Sequence, residues 1–134
     1  MGLLGMSALS RIRQIDYTVI YCRDLVAMKR FYGEVLGFPH ERDLSPTWIE
    51  FRIGSNILAL TQPGKLFHDA PPPQGALSLQ LAFRVAPDEV DLCAAELVAK
   101  GVAIEMPVTD QPFGHRTPFF RDPDGNVLEI FAEI

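Results

Sequence analysis

Arg121-Asp-Pro-Asp-Gly-Asn-Val-Leu-Glu-Ile-Phe-Ala-Glu133 reads as a tight turn running straight into a strand. Pro123 presets the φ that a turn requires, and Gly125 accepts a positive φ without a Cβ clash. Asp122, Asp124 and Asn126 carry short side chains suited to holding the N–H groups of such a turn. Beyond it the residues alternate, with Val127, Glu129 and Phe131 on one face and Leu128 and Ile130 on the other. Glu129 is the informative residue. An unpaired carboxylate is costly to bury, so one in the middle of an apolar strand faces solvent, a polar cleft or a metal.

The same run occurs 70 positions earlier as Gly54-Ser-Asn-Ile-Leu-Ala-Leu-Thr61, with Asn56 matching Asn126 and Ala59 standing where Glu129 stands. The helix signals repeat as well, 64 positions apart: Asp24 and Asp88 open helical segments that Gly37 and Gly101 close. The chain is therefore two copies of one unit, and only the second keeps its acid.

Each copy reads as strand, helix, then further strands. Arg13 to Tyr21 alternates, with Tyr17, Val19 and Tyr21 on one face. A helix runs from Asp24 to about Leu36, its apolar stripe formed by Leu25, Met28, Phe31, Tyr32, Val35 and Leu36. Strands follow at about Thr47–Ile53, with Trp48, Glu50 and Arg52 on one face, and at Ile57–Thr61. In the second copy Leu79, Leu81, Phe83 and Val85 oppose Gln80, Ala82 and Arg84. Its helix starts at Pro87 and carries a stripe of Val90, Ala94, Leu97 and Val98. A strand over Val102–Glu105, a loop through Pro112-Phe-Gly-His115 and a strand over Thr117–Arg121 complete it. This predicts an α+β fold of two βαβββ modules, 13–62 and 77–134, joined by a proline-bearing linker over 63–76 and preceded by a flexible N-terminus, 1–12.

Composition narrows the function. At 134 residues, 48% hydrophobic and 22% charged, the sequence is that of an ordinary globular domain. A formal charge of −5 opposes nucleic-acid binding, which relies on Lys and Arg to displace phosphate counterions. The apolar start at Met1–Leu9 is too short for a membrane span and lacks a basic segment before it, so no membrane association is expected. Cys22 and Cys93 have no metal-type spacing and read as reduced thiols of a cytoplasmic protein.

The pattern Asp24-Leu25, Phe31-Tyr32, Leu36-Gly37-Phe38, Asp88-Glu89-Val90, Lys100-Gly101, Phe113-Gly114 and Asp122-Pro-Asp-Gly-Asn126 with Glu129 resembles the vicinal oxygen chelate superfamily. That superfamily includes glyoxalase I, extradiol dioxygenases, and the fosfomycin- and bleomycin-resistance proteins. The resemblance covers about residues 13–133 and implies paired modules whose sheets form a curved, partly open barrel around a cleft, commonly in a homodimer. It also implies metal ligands at the positions of Tyr17, Ala59, Gln80 and Glu129. Only Glu129 is a standard ligand there, because transition metals need imidazole, carboxylate or thiolate to compete with water.

The expected site is thus a cleft lined by Tyr17, Val19, Trp48, Gln80, Ala82 and Glu129; Trp48, Phe113 and Phe119 read as an aromatic wall or as core packing, and the resemblance implies that the loop of His115 borders the cleft. Glu129 is either a cleft acid that fixes a donor or cation of the ligand, or a strand-face charge paired with Arg84 or Arg52. Glu50 reads as an exposed ion pair. His40 and His68 fall in loop or linker, and His115 in a loop, where it is the one histidine worth testing as an acid or base. The acidic turn lacks the ligand spacing of a calcium loop, and Gly33, Gly37 and Gly54 do not make a phosphate cradle. Two functions remain open. One is a small-molecule-binding protein similar to the bleomycin-resistance proteins, with no cofactor. The other is a lyase, isomerase or dioxygenase in which Glu129, with Gln80 and Tyr17, holds a divalent metal or acts as a base.

Overall fold

The computed structural model describes residues 7–64 and 67–134. Residues 1–6 of the N-terminus and 65–66 of the linker lie outside them; Ala8–Arg11 form a short 3-10 turn.

The first module contains β1 (Tyr17–Tyr21), helix α1 (Leu25–Arg30) continued by a π turn (Phe31–Val35), β2 (His40–Ser45), β3 (Trp48–Ile53) and β4 (Asn56–Thr61). The second contains β5 (Gln80–Arg84), a 3-10 turn (Pro87–Glu89) leading into α2 (Val90–Ala99), β6 (Ile104–Asp110), β7 (His115–Arg121) and β8 (Val127–Glu133). Each forms a four-stranded mixed sheet, β1-β4-β3-β2 and β5-β8-β7-β6, with one parallel pair in each. The fold is α+β, and its order repeats as the duplicated sequence requires.

Local chemistry sets the helices. The Asp24 carboxylate accepts from the Ala27 N–H at 3.0 Å, and Gly37, at φ 71°, ends the segment. The expected uninterrupted α-helix instead widens after Arg30, where Leu36 N–H bonds the Phe31 carbonyl five residues back at 2.9 Å. The wider turn buries Phe31 and Tyr32, which are consecutive, and it brings Gly33 against the ring of Phe51. In α2 the buried positions are Val90 and Leu97, with Cys93 packed on the core. Val98, expected in the stripe, is exposed.

The other departures from expectation concern edge strands. Residues 40–45 are mostly polar and exposed, Leu44 being their one apolar residue, so no alternation marks them, yet they pair with β3 through two irregularities. His40 therefore sits in a strand, 2.7 Å from Asp43, and not in a loop, although it is exposed to solvent as expected. Likewise β6 runs on to Asp110, and β7 begins at His115 after a turn at Gly114. His115 is thus a strand residue. A proline at Pro107 and an exposed run suit an outer strand that needs no full ladder.

One face of each sheet packs into a shared core. Ile20, Met28, Tyr32, Phe51 and Leu60 of the first module meet Leu97, Phe120, Leu128 and Ile130 of the second. Burying each such side chain stabilises the fold by about 1.5–3 kcal/mol.

The closing turn locks the modules together. Asp122, almost fully buried, accepts from the Asp124 and Asn126 N–H groups (both 3.0 Å), the Asn126 amide (2.9 Å) and the Tyr32 hydroxyl (2.8 Å). Asp124 accepts from the N–H groups of Arg23 (2.8 Å) and Asp24 (3.3 Å) at the start of α1. The acids of this turn are structural, and they hold the second module to the first.

Candidate functional site

The outer faces of the sheets, turned away from this core, carry the chemistry. On the second sheet the register sets Ala82 beside Glu129 and Glu129 beside Phe119, with Met106 beyond. Ala82 leaves room on one side of the acid. Glu129 is half-buried, and each of its oxygens has a neutral donor: the Gln80 amide at 3.2 Å and the Thr117 hydroxyl at 2.8 Å. It pairs with neither candidate arginine. Arg84 bonds Glu133 at 2.6 Å and lies 5.2 Å over Phe131, while Arg52 bonds Glu41. Further along the same face the His115 ring stacks on Phe131 at 4.8 Å, and exposed Phe113 meets its edge at 5.2 Å.

On the first sheet the corresponding row is Val19, Ala59, Glu50 and Arg42. Here the acid has moved one strand over. Glu50 is 2% exposed, not the exposed ion pair its sequence suggests. It accepts from Arg42 Nε at 3.0 Å and from the Trp48 indole N–H at 2.8 Å. Glu50 raises the proton affinity of Arg42 above the ordinary arginine value, and nearby Tyr17 adds to the effect. In the next row Trp48 and Tyr21 line a cavity of about 530 Å³ with Leu44, Thr61, Pro63 and Phe67.

The residues expected to line the cleft come from both sheets. Gln80, Ala82 and Glu129 adjoin Phe119 on the second; Tyr17, Val19 and Trp48 stand on the first. Two partners, Thr117 and Arg42, escape a reading of the sequence. Thr117 alternates with Phe119 on a strand antiparallel to β8, so pairing the strands would have revealed it. Arg42 lies in the charged run that hides β2.

Residues 14–130 match the Glyoxalase/Bleomycin resistance protein/Dioxygenase superfamily. The chain belongs to that superfamily. It is 33% identical to the uncharacterized protein YwkD of Bacillus subtilis (strain 168), over 91% of this chain and 98% of that one. The structure is similar to a glyoxalase/bleomycin resistance protein/dioxygenase from Nocardioides, with TM-score 0.82 and 23% identity over 99% of this chain and 89% of that one. It is similar also to the lactoylglutathione lyase from Agrobacterium tumefaciens, with TM-score 0.72 and 26% identity over 91% and 95% of the two chains. The α+β architecture of paired open sheets is thus the fold of this superfamily.

The four positions at which the superfamily resemblance implies a metal do not fit one. Ala59 has no donor atom, Tyr17 offers a phenol beside a guanidinium, and the Gln80 amide nitrogen is turned to Glu129. A lone carboxylate with both oxygens already bonded is a poor transition-metal site. Among the described residues no three His, Cys, Asp or Glu side chains cluster as a metal site, and no helix is long and apolar enough to cross a membrane.

Proposed function

We propose that the protein binds a small organic molecule on the outer faces of its sheets, as a binder of the bleomycin-resistance type, without a tightly held catalytic metal. The carrying observation is the Glu129–Gln80–Thr117 cluster. It fixes a half-buried carboxylate with neutral donors and leaves its remaining lone pairs for a hydrogen-bond donor or cation on the ligand. Phe119, Phe131 and His115 around it favour a ring-bearing molecule.

A second reading, a lyase, isomerase or dioxygenase, draws on the similarity to the Agrobacterium tumefaciens lactoylglutathione lyase and would use Glu129 as base or ligand. Metal analysis of protein purified without chelator separates the two. It is combined with melting curves in Ni, Zn, Mn, Fe(II) and Mg for wild type and Glu129→Ala. Binding of a metal at 100 times its dissociation constant stabilises the native state by about 2.7 kcal/mol, which a melt resolves. We expect sub-stoichiometric metal and no shift. Near-stoichiometric metal, or a stabilisation lost in the variant, would replace the binder with the enzyme. We also propose a homodimer, which a monomeric mass by light scattering would remove, and a reducing, cytoplasmic location, consistent with Cys22 and Cys93 both being free thiols.

A further inference from the structure

The buried acid of the first sheet has no task in this reading, and the fold does not require it. In the second sheet the positions matching Glu50 and Arg42 are Phe119 and Met106, paired in the same register. An apolar pair builds that row equally well. Burying the Glu50 carboxylate is costly next to an apolar side chain there, since its desolvation offsets most of what the half-exposed Arg42 returns. What Glu50 does is position Arg42. It holds Nε, while its other oxygen is fixed by the Trp48 indole. Apart from the neighbouring Tyr17 phenol, the terminal nitrogens of Arg42 have no hydrogen-bond partner among the described residues. Those of Arg52, Arg84, Arg116 and Arg121 are bonded to Glu41, Glu133, Asp110 and Glu105. The side chain of Arg42 is 56% exposed beside the phenol of Tyr17, itself 44% exposed. A guanidinium fork fixed by a carboxylate at its inner nitrogen, with no acid on its outer two and only a phenol beside them, suits a carboxylate.

Trp48 joins this fork to a cavity. Its N–H is held by Glu50, and its ring forms the wall of the 530 Å³ space shared with Tyr21 and Phe67. Two residues along a strand separate the fork's anchor from that wall by about 7 Å. We propose that Arg42 and Tyr17 form an anion subsite for the carboxylate of an aryl-alkyl acid whose ring lies in the Tyr21–Trp48–Phe67 cavity, with Glu50 as the positioning residue. The subsite stands whether or not Glu129 anchors a ligand.

Trp48 is the only tryptophan, so its emission reports on the site directly. The wild-type protein is titrated with 3-phenylpropionate, its primary amide and inorganic phosphate. The acid produces a saturable change in emission, and amide and phosphate bind about tenfold more weakly, as expected when a charge-assisted fork or the apolar contact is lost. Replacing both charges, Arg42→Met with Glu50→Gln, retains an acceptor for Trp48 and removes the preference for acid over amide. Tyr17→Phe, at an exposed position, weakens the acid a few-fold and leaves the amide unchanged. Equal binding of acid and amide by the wild type would overturn the proposal. So would phosphate binding as tight as the acid's, an undiminished acid preference in the folded double variant, or the absence of a saturable signal.

Discussion

Tyr32→Phe removes a single oxygen and tests how the modules are held together. The Tyr32 ring has no exposed surface, and its hydroxyl donates to Asp122 at 2.8 Å across 90 residues of chain. Burial, reinforced by Asp122 alongside, raises the phenol's pKa well above the ordinary tyrosine value, so it remains a donor at any workable pH. Asp122 would keep three of its four donors, but the lost one cannot be replaced freely by water at a carboxylate only 5% exposed. A hydrogen bond to a charged group is worth about 1.5–3 kcal/mol. With an unfolding entropy of about 2.1 cal/mol/K per residue, the melting temperature falls by about 5–11 °C. Urea titration followed by circular dichroism should show a lower midpoint at an unchanged slope, since no compactness is lost. Tyr21→Phe, at an exposed tyrosine without such a bond, should stay within about 0.5 kcal/mol of wild type. A loss below about 0.5 kcal/mol in Tyr32→Phe, or no coupling between Tyr32→Phe and Asp122→Asn in a double-mutant cycle, would refute the tie.

The two acids of the outer faces should respond differently to truncation. Glu50→Ala strips the Trp48 indole and Arg42 of their acceptor and should cost about 1–3 kcal/mol, discounted because Arg42 reaches solvent. Urea denaturation of Glu129→Ala beside it should give a smaller loss, and equal losses would contradict the burial of Glu50. The thiols should separate too. Burial first, then Asp124, raises the Cys22 thiol to about 12, whereas Cys93 is partly exposed. At pH 8 a thiol reagent should modify Cys93 on the native protein and Cys22 only on unfolding, read by mass spectrometry. Because the folded value of Cys22 is raised, its contribution to stability is complete below the unfolded thiol value of about 9 and is lost as pH climbs towards 12. Stability that rises over that interval would contradict the assignment.

The sequence by itself determined the duplication, the α+β class and the placement of most elements. The reason is that alternation along β1, β3, β5 and β8, the repeat of the turn and apolar run at β4, and helical spacing around Met28 and Tyr32 are local signals imposed by backbone geometry. It also identified Glu129 as an acid out of place among apolar neighbours. Polar edge strands gave no such signal, so β2 and the far end of β6 became visible only through their partners. Alternation shows which face a side chain takes but not what covers that face. Tertiary structure alone decided that Glu50 lies beneath Arg42 and Trp48, that Gln80 and Thr117 hold Glu129, and that Asp122 is spent on Tyr32. Each of these depends on which residue stands opposite across a strand pair or a module boundary, and that is fixed by the register of segments distant in sequence.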